Sequence, residues 1–159
     1  MTPLPRPLSR VLAALVAEAE KKETPLYLVG GCVRDSLLGR PVRDLDFISD
    51  RDLSDLARRV SSRQGGRLKA FGDFGTLRLH LNGGIRVDFS RARTETYPRP
   101  AALPETRPAG SVEEDLKRRD FTINAMALPA RHFARASDGD GGLIDPWGGL
   151  SDLRAKRLR

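Results

Sequence analysis

Asp44 and Asp46 stand two residues apart in RDLDFIS (43–49), a segment that reads as a strand. At that spacing both carboxylates leave one face, while Leu45 and Phe47 leave the other. Two carboxylates held so close repel unless a cation lies between them. Magnesium suits the position, because it takes oxygen ligands and keeps places open for phosphate oxygens. A solvated turn with two free acids is the plain alternative. Asp88, in IRVDFSR (85–91), alternates against Ile85, Val87 and Phe89. If its strand lies beside that of Asp44, the three acids form a patch able to hold two metals, one for an attacking oxygen and one for a leaving group. Otherwise Asp88 is an ordinary outward-facing acid.

A phosphate site is suggested just upstream. Gly30 and Gly31 precede CVRDSLL, where backbone N–H groups at a helix start can meet phosphate oxygens and glycine allows close approach. Arg34 falls in the first turn, and Asp35 can lock it by an ion pair. A bare Gly-Gly is more often a simple turn. Cys32 reads as a small packing residue, since no histidine stands nearby in sequence to activate it. His80 and His132 lack ligand-like spacing and are expected on a strand and on a surface loop. In DLKRRDFTINAMA (115–127), Arg118, Arg119 and Asp120 precede an apolar run. Arginines there can grip a triphosphate, while Asp120 or Asn124 bonds a ribose or fixes the arginines. The alternative is a solvated helix end with favourable charge.

The elements that must position these groups follow from periodicity. Prolines 3, 5 and 7 suggest an irregular lead-in, with Ser9 capping a helix whose Leu12, Leu15, Val16 and Ala19 share a face. A buried strand is expected at 25–29 and a helix from the glycine pair to Gly39. A second helix at 52–64 turns Leu53, Leu56, Ala57 and Val60 inward. Segments 76–81 and 85–91 alternate with period two around Asn82-Gly83-Gly84, a hairpin signal. Four prolines in 94–110 suggest a long, mobile loop. SVEEDLKRRD begins with a capping serine and an acidic first turn, as a helix does. FTINAMAL is apolar enough to be central, LIDP is a short strand or turn, and GGLSDLRAKRLR starts a last helical piece.

A chain of 159 residues is the size of one domain, and its net charge of +7 favours polyanionic partners such as nucleic acid. One cysteine excludes an internal disulfide framework and a thiolate zinc site. No apolar run approaches the ~20 residues that cross a bilayer, so no membrane partner is expected. The patch at 11–17 is followed at once by Glu18 and Glu20 and reads as a surface helix, not a signal peptide. A cytoplasmic location is the default.

The order of these stretches is more specific than any one of them. LVGGCVRDSLLGRPVRDLDF, VDFSRARTETY, EEDLKRRDFTINAMA and IDPWGGLSDLRAKRLR together resemble the head domain of class II tRNA nucleotidyltransferases (CCA-adding enzymes) and bacterial poly(A) polymerases. The resemblance implies an α/β, polymerase-β-like nucleotidyltransferase head with a small mixed sheet flanked by helices. It divides the chain into a lead-in and helix (1–25), the head (26–145) and the start of a head-to-neck connection (146–159). It implies template-independent addition of C and/or A from CTP or ATP to an RNA 3′ end, most specifically that of tRNA, with Mg2+ in a two-metal site. By the same resemblance Asp44 and Asp46 match the metal pair, and Gly31 and Arg34 match nucleotide-binding positions. Arg119 matches a further nucleotide contact, with Arg118, Asp120 and Asn124 close by. Asp88 matches a position that usually carries an acid, and Asp145, Gly149 and Asp152 match the motif leading towards the neck. The neck's Glu-Asp-x-x-Arg motif, which selects the base, has no match here. A separate chain or a C-terminal region is therefore expected to supply neck and body. The rival readings are a nucleotide- or RNA-binding module inactive without such a partner, and a transferase acting on a small hydroxyl acceptor.

Overall fold

In the computed structural model, residues 4–71, 75–99, 103–134 and 142–159 are described. A six-stranded mixed sheet runs in the order β3-β4-β5-β2-β1-β8, built from β1 (Tyr27–Val29), β2 (Asp44–Ser49), β3 (Arg67–Phe71), β4 (Thr76–Leu81), β5 (Ile85–Arg91) and β8 (Ala127–Pro129). Neighbours pair antiparallel except β2 and β5, which are parallel. A mixed sheet flanked by helices is the architecture the sequence predicts.

Alternation decides which face is covered. Leu45 and Phe47 of β2, Val87 and Phe89 of β5, and Leu79 and Leu81 of β4 are buried in one cluster. Helices α1 (Arg6–Lys21) and α3 (Ser54–Gln64) close that cluster with Leu8, Leu12, Leu15, Leu56, Ala57 and Val60. The rings of Phe47 and Phe89, opposite each other in register, stack with centroids 5.7 Å apart. Helix α1 is thus part of the same core as the head, and its buried Glu18 pairs with Arg63 of α3. On the other face a smaller cluster of Val29, Ile48, Ala92, Ala109, Val112 and Leu116 covers only the β1–β2 end. It is roofed by α4 (Val112–Lys117), capped by the Ser111 hydroxyl accepting from the Glu114 N–H. The rest of that face, from β2 to β3, carries polar side chains.

Four expectations need correction. Helix α1 begins at Arg6, with Pro7 in its first turn, so the lead-in is shorter than the prolines suggest; a fixed φ suits the first helical positions. Ser9 lies inside it and donates to the Leu4 carbonyl. Strand β3 has no strong sequence signal because it is an exposed edge strand with only Leu68 turned to the core. Within 94–110, β6 (Arg93–Thr96) and β7 (Glu105–Pro108) pair antiparallel where a loop is expected. Pro108 closes its strand and Pro104 precedes it, positions that cost the ladder little; residues 100–102 lie outside the described residues. His132 sits on the short helix α5 (Ala130–Ala134) and not on a loop, whereas His80 is on β4 as expected.

Candidate active site

Register brings the predicted acids together. Asp46 stands directly opposite Asp88, and Asp44 opposite Arg86, across the parallel β2–β5 pair. The carboxylates differ in what they hold. Asp88 accepts from Arg78 through both oxygens, at 2.7 and 2.8 Å. Asp44 accepts from Arg86 at 2.7 Å. Asp46 has no hydrogen bond among the described residues, and burial pushes its carboxyl above the usual range, with Asp88 and Asp44 adding to the rise against Arg86 and Arg119. An under-compensated carboxylate at the floor of a cleft is what a cation would relieve. No group of three or more His, Cys, Asp or Glu able to hold a metal occurs among the described residues. The donor set fits a hexacoordinate magnesium only as two carboxylates completed by water and substrate phosphates, which is how that ion is commonly held.

The cleft itself is about 350 Å³ and is walled by Gly31, Arg34, Arg43, Asp44, Asp46 and Arg86. A larger concavity of about 460 Å³ lies between the end of α1 and the β8 edge, away from every predicted site residue. The glycine pair forms the turn from β1 into α2 (Gly31–Leu37), and Gly39 takes the left-handed position past the end of that helix. Arg34 donates from Nε to Asp35 at 2.9 Å and from Nη1 to the Asn124 side-chain oxygen at 2.7 Å. The Asp35 lock and the fixing role of Asn124 are therefore both seen. Cys32 is buried beneath, donating to the Val29 carbonyl; burial pushes its thiol up to about 12. It is a packing residue.

The two arginines of RRD diverge. Arg118 is fully engaged: Nε donates to the Arg93 carbonyl and to Asp115, Nη2 to Asp115 and Nη1 to Glu95. Arg119 spends Nε and Nη2 on the other Asp115 oxygen, at 3.1 and 3.0 Å. Its Nη1 reaches over Gly30, 3.5 Å from where a Cβ would stand. Asp120 is exposed and makes no hydrogen bond or ion pair among the described residues. Asp115 and Glu95 are the groups that sequence reasoning missed. Asp115 is fully buried, holds both arginines and also accepts the Arg93 N–H, so it ties α4, β6 and the cleft together. Its three- and four-residue spacing to Arg118 and Arg119 was a usable signal.

Behind the cleft, the 3-10 turn Thr122–Asn124 precedes the buried run from Ala125 to Leu128. Asp145 accepts N–H bonds from Gly149 and Leu150, starting helix α6 (Gly149–Arg154), and Asp152 accepts from the Thr122 hydroxyl at 2.7 Å. The motif residues Asp145, Gly149 and Asp152 thus fasten α6 to the turn that carries Asn124.

The family model of the poly(A) polymerase head domain matches residues 26–159. The A-adding tRNA nucleotidyltransferase of Aquifex aeolicus (strain VF5) is 47% identical over 133 residues, 84% of this chain and 15% of that protein. Among solved structures, a CCA-adding enzyme in its apo form II superposes with a TM-score of 0.82 at 34% identity, over 98% of this chain and 35% of that one. A tRNA nucleotidyltransferase complexed with a primer tRNA and an incoming ATP analog gives 0.68 at 39% identity, over 91% of this chain and 38% of that one. The chain spans well under half the length of each of these relatives.

Proposed function

The chain belongs to the family of poly(A) polymerase head domains, and on that premise we propose that it transfers a nucleotide from ATP or CTP to the 3′ end of an RNA, a tRNA first of all. The 3′-hydroxyl oxygen attacks the α-phosphorus, a new P–O bond forms, and the α–β bridge breaks to release pyrophosphate. The observation that carries this reading is Asp46: a part-buried carboxylate without a hydrogen bond, facing the same cleft as Gly31 and Arg34. The solved relative with a primer tRNA and an ATP analog supports the substrate class.

Asp44 and Asp46 would hold the magnesium, which when bound neutralises charge on the attacking and leaving oxygens. The chain's own groups supply position and counter-charge. Arg34, braced by Asp35 and Asn124, offers its remaining N–H donors to the triphosphate, and Arg119 offers Nη1 over the glycine turn. Arg118 serves by bracing β6 against α4. Asp88 holds Arg78 beside Asp46 and keeps the floor of the cleft negative. Neutralising developing charge from fixed donors is the larger part of phosphoryl-transfer catalysis.

The test is single-nucleotide extension of tRNAs ending before CCA, after C and after CC, each with one labelled NTP and magnesium. Incorporation that disappears in Asp44→Ala supports the proposal. NTP binding with no incorporation on any of the three would replace it with a binding module that waits for further chain. Turnover on small hydroxyl acceptors without RNA would move it to another substrate class.

A further inference from the structure

The polar face of the sheet is divided by charge. In register, Asp46 faces Asp88, Asp88 faces Arg78, and Arg78 faces Lys69; one step along, Asp44, Arg86, His80 and Arg67 form the parallel row. Acids thus lie at the β2–β5 end and cations at the β3–β4 edge. Arg78 and Arg86 are paired with Asp88 and Asp44. Arg67 and Lys69 are exposed and make no ion pair or side-chain hydrogen bond among the described residues. Next to them Phe71 is 43% exposed, and the Arg78 guanidinium lies over its ring, 4.8 Å from the centroid.

Free cations beside an exposed aromatic ring suit a polyanion with flat bases better than a peptide or a lipid surface. Phosphates are met by the cations, and a base can stack on an aromatic or guanidinium plane. The row is continuous with the cleft through Arg86 and Asp44, which wall it. From β3 to β2 is three inter-strand steps, about 14 Å, or roughly four stacked nucleotides.

We propose that the β3–β4 edge docks the single-stranded 3′ segment of the RNA acceptor, with Arg67 and Lys69 on its phosphates and the Phe71–Arg78 pair against a base. The strand then runs across the sheet and delivers its terminal hydroxyl to Asp44 and Asp46. This rests on reading that carboxylate pair as the transfer site.

Fluorescence anisotropy of a 5′-labelled single-stranded oligoribonucleotide, titrated with salt, tests it. The double variant Arg67→Gln/Lys69→Gln should flatten the slope of log affinity against log salt by about 1.4, two lost phosphate contacts on a single strand. Phe71→Ala should weaken binding about fivefold or more with the slope retained. Arg10→Gln/Arg59→Gln, on the helices that cover the opposite face, should leave the slope unchanged, and NTP affinity should be the same in all variants. An unchanged slope in the β3 double variant, an equal change in the control, or equal competition by duplex RNA would overturn the assignment. The readout is binding, so RNA bound in this way without incorporation would count against the transfer reading and leave the dock standing.

Discussion

Arg119 reaches across Gly30, with Nη1 3.5 Å from the point where a Cβ on that glycine would be, and Gly30 has a φ of +72°. The turn leaves room for the guanidinium and takes a backbone conformation that other residues resist. Gly30→Ala should cost about 1–2 kcal/mol, seen as a fall in Tm of about 2–4 °C per kcal/mol for a chain of this size. It should also raise the KM for NTP, because Arg119 must give way. A variant with wild-type Tm and KM would show that neither the turn nor the approach matters.

Asp115 carries the largest single load in the site. Asp115→Ala leaves two largely buried guanidinium groups and the Arg93 N–H without their acceptor, and should cost about 3–5 kcal/mol. Urea denaturation measures it. Asp115→Asn keeps an acceptor and should fold better, with NTP KM rising more than kcat falls. Loss of kcat alone would place Asp115 at the reacting atoms instead of behind the arginines.

Asp46 costs stability to keep. Its folded carboxyl binds its proton more tightly than the unfolded one, so stability is greatest below the ordinary aspartate value near 4 and is lost as pH rises through the raised folded value. Asp46→Asn should therefore raise Tm at pH 7, with the gain vanishing near pH 4, while incorporation falls about a hundredfold or more. Magnesium should raise the Tm of the wild type and not of the variant. A lower Tm at pH 7 in the variant would mean that Asp46 is compensated within the chain.

Gly149 is packed against the turn that carries Asn124. A Cβ there would collide with the Thr122 carbonyl, which is backbone and cannot step aside. Gly149→Ala should destabilise by about 1–3 kcal/mol, read by thermal unfolding. Arg34 should lose NTP affinity with it, since its partner Asn124 moves. Full stability in this variant would show that α6 is free to shift.

Much of this was legible in the chain. The two-residue spacing of Asp44 and Asp46 places both carboxylates on one face of any strand, whatever it pairs with, because alternation is local. Gly83 and Gly84 specify the hairpin, and Leu53, Leu56, Ala57 and Val60 specify the buried side of α3, for the same local reason. Where burial is slight or pairing is distant, local pattern fails: β3 turns only Leu68 to the core, and β6 meets β7 across a proline-rich stretch. Tertiary structure alone decided that Asp88 lies opposite Asp46 yet gives both oxygens to Arg78, that Arg118 braces while Arg119 reaches the glycine turn, and that Arg34 is held by Asn124, distant in the chain. Those choices depend on which strand lies beside which and on how many acceptors each guanidinium finds, and these are properties of packing that no periodicity encodes.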